Sequence, residues 1–518
     1  MKPKSSHWAD INAAKIVREK GEKDIYVCAS GITPSGTIHI GNFREIMSVD
    51  LVVRALQSLG KQVKFVYSWD DYDVFRKVPK NMPAELEQYL RQPITLVPDT
   101  TGVADSYARA NEIELETQLH KVGIDPHYIY QANEYRASKY AEGIKIALQK
   151  KEEIRAALDE HRTTPLPSDW MPVSVFCNSC NRDTTRVTAY DGDYGVSYEC
   201  ECGHKETVDL RNTKAVKLPW RIDWPMRWKH ENVDFEPAGK DHHSEGGSFD
   251  TSRNVVKVFD GEAPVTFQYD FISIKGRGGK ISSSSGEVIS LRDVLEVYTP
   301  EVCRFLFAGT RPNTEFSISF DLDVLKIYED YDKCERIYFG VDVANAKKKE
   351  KNDRIYELSQ THDVPKEMPF QVQIRHLTNQ LQTFDGDIER TIASFGDLTE
   401  AQKESLRGRA VCAWNWVKNF APEDFRFSIR KPTDPAPSIS EDHTAAVKSV
   451  YDLIDKEMDT LDEKALNNRI YDIAHENNIE PVELFKTLYL LIVGKEKGPR
   501  LASFLKIIGK ERLLPLLG

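Results

Sequence analysis

Two stretches of this chain combine residue types suited to phosphate chemistry. Gly31-Ile32-Thr33-Pro34-Ser35-Gly36-Thr37-Ile38-His39-Ile40-Gly41-Asn42 has glycines that let a backbone approach a ligand closely, and the free amides of a helix start attract phosphate. His39 and Asn42 add side-chain donors on the same approach. A plain strand–turn–helix connection would explain the glycines and the proline, but not a His and an Asn flanking Ile-Gly. About 240 residues later comes Lys275-Gly276-Arg277-Gly278-Gly279-Lys280-Ile281-Ser282-Ser283-Ser284-Ser285-Gly286. Alone, a Gly/Ser-rich stretch reads as a flexible linker; its cations, however, suit charge developing on reacting phosphates.

A third group is Cys177-x-x-Cys180 and, after nineteen intervening residues, Cys200-x-Cys202-Gly203-His204. Thiolates at these spacings close a tetrahedral Zn²⁺ site between two knuckles, the zinc-ribbon arrangement, with Cys202 or His204 as fourth ligand. A closed site of this kind is structural. A site that has lost its metal is the alternative. The Asp99 to Asp105 region lacks histidines, so no second metal is expected there. A fourth group, Trp220-Arg221-Ile222-Asp223-Trp224-Pro225-Met226-Arg227-Trp228, interleaves indoles with cations and precedes Gly239-Lys240-Asp241-His242-His243. Aromatic faces beside carboxylates suit an ammonium substrate; Trp224 and Trp228 read rather as plain core. Six Lys or Arg against one Asp between Arg211 and Lys229 make a path for an RNA backbone.

These residues need elements to hold them. Asp24 to Ala29 reads as a buried strand running into the turn Ser30 to Gly36, and a helix follows from about Gly41 to Leu59, with Ile46, Val49, Val53 and Leu56 at helical spacing and Gly60 closing it. Val63 to Trp69 is a second strand, so the opening is strand, loop, helix, strand, as in a parallel sheet. A third strand is expected at Tyr128 to Gln131, between helices at 104 to 121 and 137 to 159. Prolines 165, 167 and 172 break the pattern before a compact cysteine-containing module that ends near Arg211. Strands return at Val265 to Tyr269 and Phe271 to Ile274, which makes the module an insertion inside one α/β domain. From about Glu301 the pattern is helical, with long amphipathic stretches at 323 to 351 and 440 to 476. The Lys347 to Lys351 run reads as a solvated helix face.

Composition sets the outer bounds. A chain of 518 residues with 40% hydrophobic content suits several globular domains. Eight cysteines, four of them clustered, point to metal rather than to a disulfide framework. A net charge of -11 argues against a general nucleic-acid coat and leaves that question to local basic patches. The first residues carry no apolar signal stretch and no apolar run is long enough to span a bilayer, so a cytoplasmic protein without membrane contact is expected.

Taken together, the first motif resembles the HIGH signature of class I aminoacyl-tRNA synthetases, with Asn42 at its final His, and Lys280-Ile281-Ser282-Ser283-Ser284 resembles their KMSKS loop, with Ser283 at the second lysine. With Asp70-Asp71-Tyr72-Asp73, Arg76-Lys77-Val78-Pro79, the Trp220 to Trp228 stretch, Gly-Lys-Asp-His-His and Gly498-Pro499-Arg500-Leu501, the chain most resembles the class I lysyl-tRNA synthetases. The resemblance runs along most of the chain, more loosely in its final third.

It implies an α/β fold: a Rossmann-type parallel-sheet catalytic domain with a zinc-ribbon-containing insertion, followed by an all-α C-terminal anticodon-binding region. The expected divisions are 1–160 and 216–300 for the halves of the catalytic domain, 161–215 for the insertion, 301–345 for a stem-contact region and 346–518 for the anticodon-binding domain. The implied reaction activates L-lysine with ATP and Mg²⁺ and passes it to tRNA(Lys), with a monomer expected. Catalysis would fall to His39, Asn42 and Lys280. ATP would meet Pro34, Gly36, His39, Gly41, Asn42, Lys280, Ser282, Ser283 and Ser284. Gly31, Thr33, Trp220, His242 and Tyr269 would form the lysine pocket. Asp70, which ends a strand beside the expected crevice, is a further candidate for an ammonium contact. A glutamyl-type synthetase and a non-catalytic tRNA-binding relative are the alternatives. In the final third, Gly494 to Arg512 carries six Lys or Arg against two Glu, either an anticodon contact or a closing amphipathic helix with a basic face.

Overall fold

A computed structural model describes residues 2–79, 82–275 and 288–518. After helix α1 (Trp8–Lys20), strand β1 (Ile25–Ile32) leads into α2 (Ile40–Ser58), and α2 leads into β2 (Gln62–Trp69). The alternation sorts itself by burial: Val27, Cys28 and Ala29 on β1, Phe65, Val66 and Tyr67 on β2, and Ile46, Val49, Val53 and Leu56 on α2 are all buried. His39 caps α2 through its ring, which accepts from the Asn42 amide, and Gly60 turns the chain at φ 76°. The two strands pair in parallel along their whole length, Ile25 opposite Gln62 and Ile32 opposite Trp69. After α3 (Tyr107–Lys121), capped by Ser106, β3 (His127–Tyr130) joins the outer edge of β2 in parallel.

On the other edge of β1 the chain returns much later. The Asp234 amide donates to Val27 O at 2.8 Å and the Ala29 amide to Phe235 O at 2.8 Å; beyond them, the Val265 amide donates to Asp234 O at 2.8 Å, and Ala238–Gly239 pairs in parallel with Gln268–Tyr269. Only Gln268–Tyr269 of the expected strand from Val265 is regular; Val265 itself makes an isolated bridge to Phe235. The strand order thus reverses at β1, which opens a crevice at the carboxyl ends of β1 and β2.

The helical stretch expected over 137–159 is two helices, Ala141–Gln149 and Lys151–Asp159: Ser138 at φ 54° precedes the first, and Lys150 leaves the helical region between them. Ser174–Val175 pairs antiparallel with Val216–Lys217, so the two ends of the insertion meet at a neck. Beyond the neck, Thr185–Tyr190, Gly195–Cys200 and Lys205–Asp209 form an antiparallel three-stranded sheet. Helix α4 (Trp220–His230) follows the neck directly.

The chain forms two compact units. The first comprises Met1–Leu295, Pro300–Ile318 and Lys333–Lys366; the second comprises Glu296–Thr299, Ser319–Asp332 and Glu367–Gly518. The division does not follow the expected boundary at 346. Helix Ala346–Ser359 belongs to the first unit, where Arg354 makes a two-pronged contact with the buried Asp10 at 2.7 and 2.9 Å. The expected 323–351 stretch is likewise interrupted, by Gly340 at φ 75°, and that at 440–476 splits into Glu441–Lys456 and Glu463–Glu476. Lys347, Lys348 and Lys351 are exposed, as a solvated face requires. In the second unit, the described residues from 367 to 518 form helices and no strands; the last two, Leu501–Ile508 and Lys510–Leu517, are separated by Gly509 at φ 81°. No described helix is long and apolar enough to cross a membrane.

Candidate active site

The crevice is a cavity of about 570 Å³. Its floor is the carboxyl end of β1, through Gly31, Ile32 and Thr33, and that of β2, through Ser68 and Asp70; α4 contributes Trp220, Asp223, Trp224 and Arg227, and Glu236 to Ala238 and His242 close the far side. Gly31 is required here: a Cβ on it would lie 2.7 Å from Ser68 O. The aromatic wall is continuous. Trp220 meets Trp224 at 5.2 Å between ring centroids and His242 edge-on at 5.8 Å, and His242 Nδ1 lies 2.6 Å from Ser248 Oγ. Trp220 is 45% exposed, an indole left open to a ligand.

The charges in this wall are strongly unequal. Arg227 is buried between Asp70 at 2.9 Å and Asp223 at 2.8 Å, and Asp223 also accepts from the Tyr135 hydroxyl. Against the burial that would remove its proton, Asp223 and Asp70 hold Arg227 charged. Among the described residues, no cation is in hydrogen-bonding contact with Glu45 or Glu236. Glu45, on α2, accepts from Ser30 Oγ at 2.8 Å, from the Gly31 amide at 3.4 Å and from the Tyr269 hydroxyl. Glu236 accepts from two indoles, Trp224 Nε1 at 3.0 Å and Trp228 Nε1 at 2.6 Å. Desolvation raises the Glu45 carboxyl above its ordinary range. Desolvation, reinforced by Glu45, pushes Glu236 up to about 7. Both carboxylates face the cavity, which Arg76, Lys217 and Arg227 also line.

The four sulfurs of Cys177, Cys180, Cys200 and Cys202 lie within 4.8 Å of one another, with Cys177–Cys202 and Cys180–Cys200 each at 3.7 Å. A regular tetrahedron with Zn–S bonds of about 2.3 Å has edges of about 3.8 Å, so the group fits Zn²⁺, and these separations exclude disulfides. Two tight turns bring the sulfurs together, one with Asn181 at φ 60° and the other with Gly203 at φ 90°. Cys202 is the fourth member of this group, while His204 turns away and its Nε2 lies 3.2 Å from Glu206 Oε2.

Residues 6–362 match the sequence model of the family described as tRNA synthetases class I (K). The chain belongs to this family. Among its relatives, a lysine–tRNA ligase of Borreliella burgdorferi is 59% identical over 98% of both chains. One of Treponema pallidum is 53% identical over 99% of this chain and 98% of its own, and one of Pyrococcus horikoshii is 41% identical over 99% of both.

Within this class I synthetase the expected site residues are placed as follows. Gly31, Thr33, Asp70, Trp220 and His242 all line the cavity. Tyr269 stands behind it and reaches the site through Glu45. Asp70 is already engaged by Arg227 and by Ser68 Oγ at 3.2 Å. Trp224, expected as plain core, lines the cavity and donates to Glu236, whereas Trp228 is 2% exposed. Two of the six cations proposed as an RNA path point inward: Arg227 is held by Asp70 and Asp223, and Lys217 lines the cavity beside Asp73.

The first motif wraps the start of α2, where His39 Nδ1 accepts from the Asn42 amide at 3.2 Å and a Cβ on Gly41 would lie 2.9 Å from the His39 ring. Gly36 and Pro34 lie in the turn before it. Lys280, Ser282, Ser283 and Ser284 lie outside the described residues. Of the described residues on either side of this stretch, those after it meet the first motif, where the Ile40 amide donates to Ile289 O at 2.8 Å and His39 bridges Ser290, while the Lys275 amide before it donates to Ile318 O at 2.9 Å. Arg44, one turn into α2, donates to the carbonyls of Phe271, Arg311, Pro312 and Thr314. Sequence reasoning missed Glu45 and Glu236. The available signal was a carboxylate, Glu45, among the apolar positions of the first long helix, and another, Glu236, between Phe235 and Pro237.

Proposed function

We propose that this synthetase activates L-lysine with ATP and transfers the lysyl group to tRNA(Lys). The observation that carries this reading is the cavity wall, where Glu45 and Glu236 face a space rimmed by Trp220 and His242 and, among the described residues, no cation is bonded to either carboxylate. A lysine ammonium supplies the missing charge, and the indole face suits its alkyl stem and cationic head. A glutamate side chain would add a carboxylate to a wall that already holds Glu45, Asp70, Asp223 and Glu236, which disfavours the glutamyl-type alternative. The names of the relatives point the same way.

In this reading Gly31 and Thr33 meet the amino-acid end of lysine, and Glu45, oriented by Ser30 and Tyr269, takes the side-chain ammonium. The lysine carboxylate attacks the α-phosphate of ATP, the bond to the bridging oxygen breaks, and pyrophosphate leaves. A hydroxyl of the terminal ribose of tRNA then attacks the adenylate carbonyl, and AMP leaves. Such chemistry requires positioning and charge stabilisation rather than a protein nucleophile. ATP is held by Pro34, Gly36, His39, Gly41 and Asn42, with Lys280 and Ser282 to Ser284 assigned to the phosphates on the resemblance. Mg²⁺ bound with ATP neutralises phosphate charge. Zn²⁺ on Cys177, Cys180, Cys200 and Cys202 holds the insertion together. Residues 301–345 contact the tRNA stem and the C-terminal helices read the anticodon, with the exposed Arg500 as a contact; the enzyme works as a cytoplasmic monomer. The test is ATP–pyrophosphate exchange with each amino acid, with and without tRNA. Lysine alone should support it; exchange with glutamate instead would overturn the assignment.

A further inference from the structure

The cysteine group and the cavity are joined by a short physical path. The turn after Cys180 is closed by the Asn181 amide donating to Cys177 O at 2.8 Å and the Cys177 amide donating to Arg182 O at 2.9 Å. Three residues past the ligand, Asp183 makes its backbone bond to Arg91 O at 2.9 Å, its carboxylate meets Arg91 Nε at 2.8 Å, and Arg182 Nη2 donates to Gln88 O at 3.3 Å. Arg91 is itself held at φ 72° and is bonded to the cavity rim: its amide donates to Phe75 O at 2.9 Å, the Phe75 amide to Gln92 O at 2.7 Å, and the Ile94 amide to Asp73 O at 2.8 Å. Asp73, Val74 and Arg76 line the cavity, and so does the Asp183 carboxylate, whose charge is shared among Arg91, Arg76 and Lys217.

From this path we infer that Asp183 is a positioning residue for amino-acid binding: through Arg91 it ties the cysteine knuckle to the 73–76 rim, so that a metal on the four cysteines orders the substrate cavity as well as the insertion. This rests on the lysine reading above. Each connection is a direct bond between described residues, and removing the Asp183 charge leaves Arg76 and Lys217 facing the cavity with less to hold them.

The test uses the full-length, metal-loaded chain. Asp183→Asn and Arg91→Ala should each raise the lysine KM in pyrophosphate exchange about tenfold, with kcat changed less than twofold and the metal content still one per chain. The double variant should be no worse than either single, because both remove the same link. By calorimetry, chelator-stripped protein should bind lysine about tenfold more weakly and recover on adding Zn²⁺. Unchanged KM values, additive effects, or unaltered lysine binding by stripped protein would overturn the coupling. A wild-type chain that shows no lysine-dependent exchange would overturn the lysine reading beneath it.

Discussion

Replacing Glu45 by Gln tests whether a half-buried carboxylate in the cavity wall selects the substrate. The substitution is nearly isosteric. With its oxygen toward Ser30 Oγ and the Gly31 amide, a glutamine presents its amide nitrogen to Tyr269, whose hydroxyl can rotate to accept it. The change is therefore confined to charge. A hydrogen bond between charged groups is worth about 1.5–3 kcal/mol, and a desolvated site lies toward the upper end of that range. A loss of about 2–3 kcal/mol corresponds to a lysine KM higher by roughly 30- to 150-fold. Turnover at saturating lysine should change only a few-fold, because the ammonium is remote from the reacting carboxylate and is bound equally in ground and transition states. Stability should move the other way: desolvation holds the Glu45 carboxyl above its ordinary range, so a neutral residue removes a folding cost and the Tm should stay equal or rise. Exchange kinetics with saturating ATP and tRNA, alongside thermal unfolding, measure both. An unchanged KM, or a raised KM accompanied by a fallen Tm, would refute the reasoning.

Glu236, pushed up to about 7 by desolvation, is largely protonated at pH 6 and largely ionised at pH 8; since the ionised form attracts an ammonium, the lysine KM should fall about five- to tenfold across that interval, and Glu236→Gln should flatten the profile. Cys202→Ser should lose zinc by elemental analysis while His204→Ala keeps one ion per chain, since only the cysteine sulfur joins the group of four; equal retention in both would exclude Cys202 as a ligand. His39→Ala and Lys280→Ala should each slow adenylate formation about a hundredfold in single-turnover experiments, the usual effect of removing one charge-stabilising donor; near wild-type rates would remove them from catalysis.

Much of this was legible in the residues because it is local. The alternation of β1, α2 and β2 and the two cysteine turns depend on side chains within a few positions of one another, which is the range over which backbone preference and hydrophobic period act. Gly31, Thr33, Trp220 and His242, named for the pocket on the family resemblance, line one cavity. The helical stretches at 137–159, 323–351 and 440–476 each contain a break, at Lys150, at Gly340 and between Lys456 and Glu463, across which the apolar period continues. What the linear chain did not reveal was the charge of the cavity. Glu45 and Glu236 lie about 190 residues apart, and Arg227 reads from sequence as one more surface cation. Only the return of Asp234 to Gly239 alongside β1 sets Glu236 in the same cavity wall as Glu45, and only the packing of α4 over the strand ends turns Arg227 inward onto Asp70. The cause is dielectric as much as geometric: a carboxylate acquires its preference for an ammonium when neighbours from distant parts of the chain exclude water from it, and no local pattern of residue types specifies which neighbours those will be.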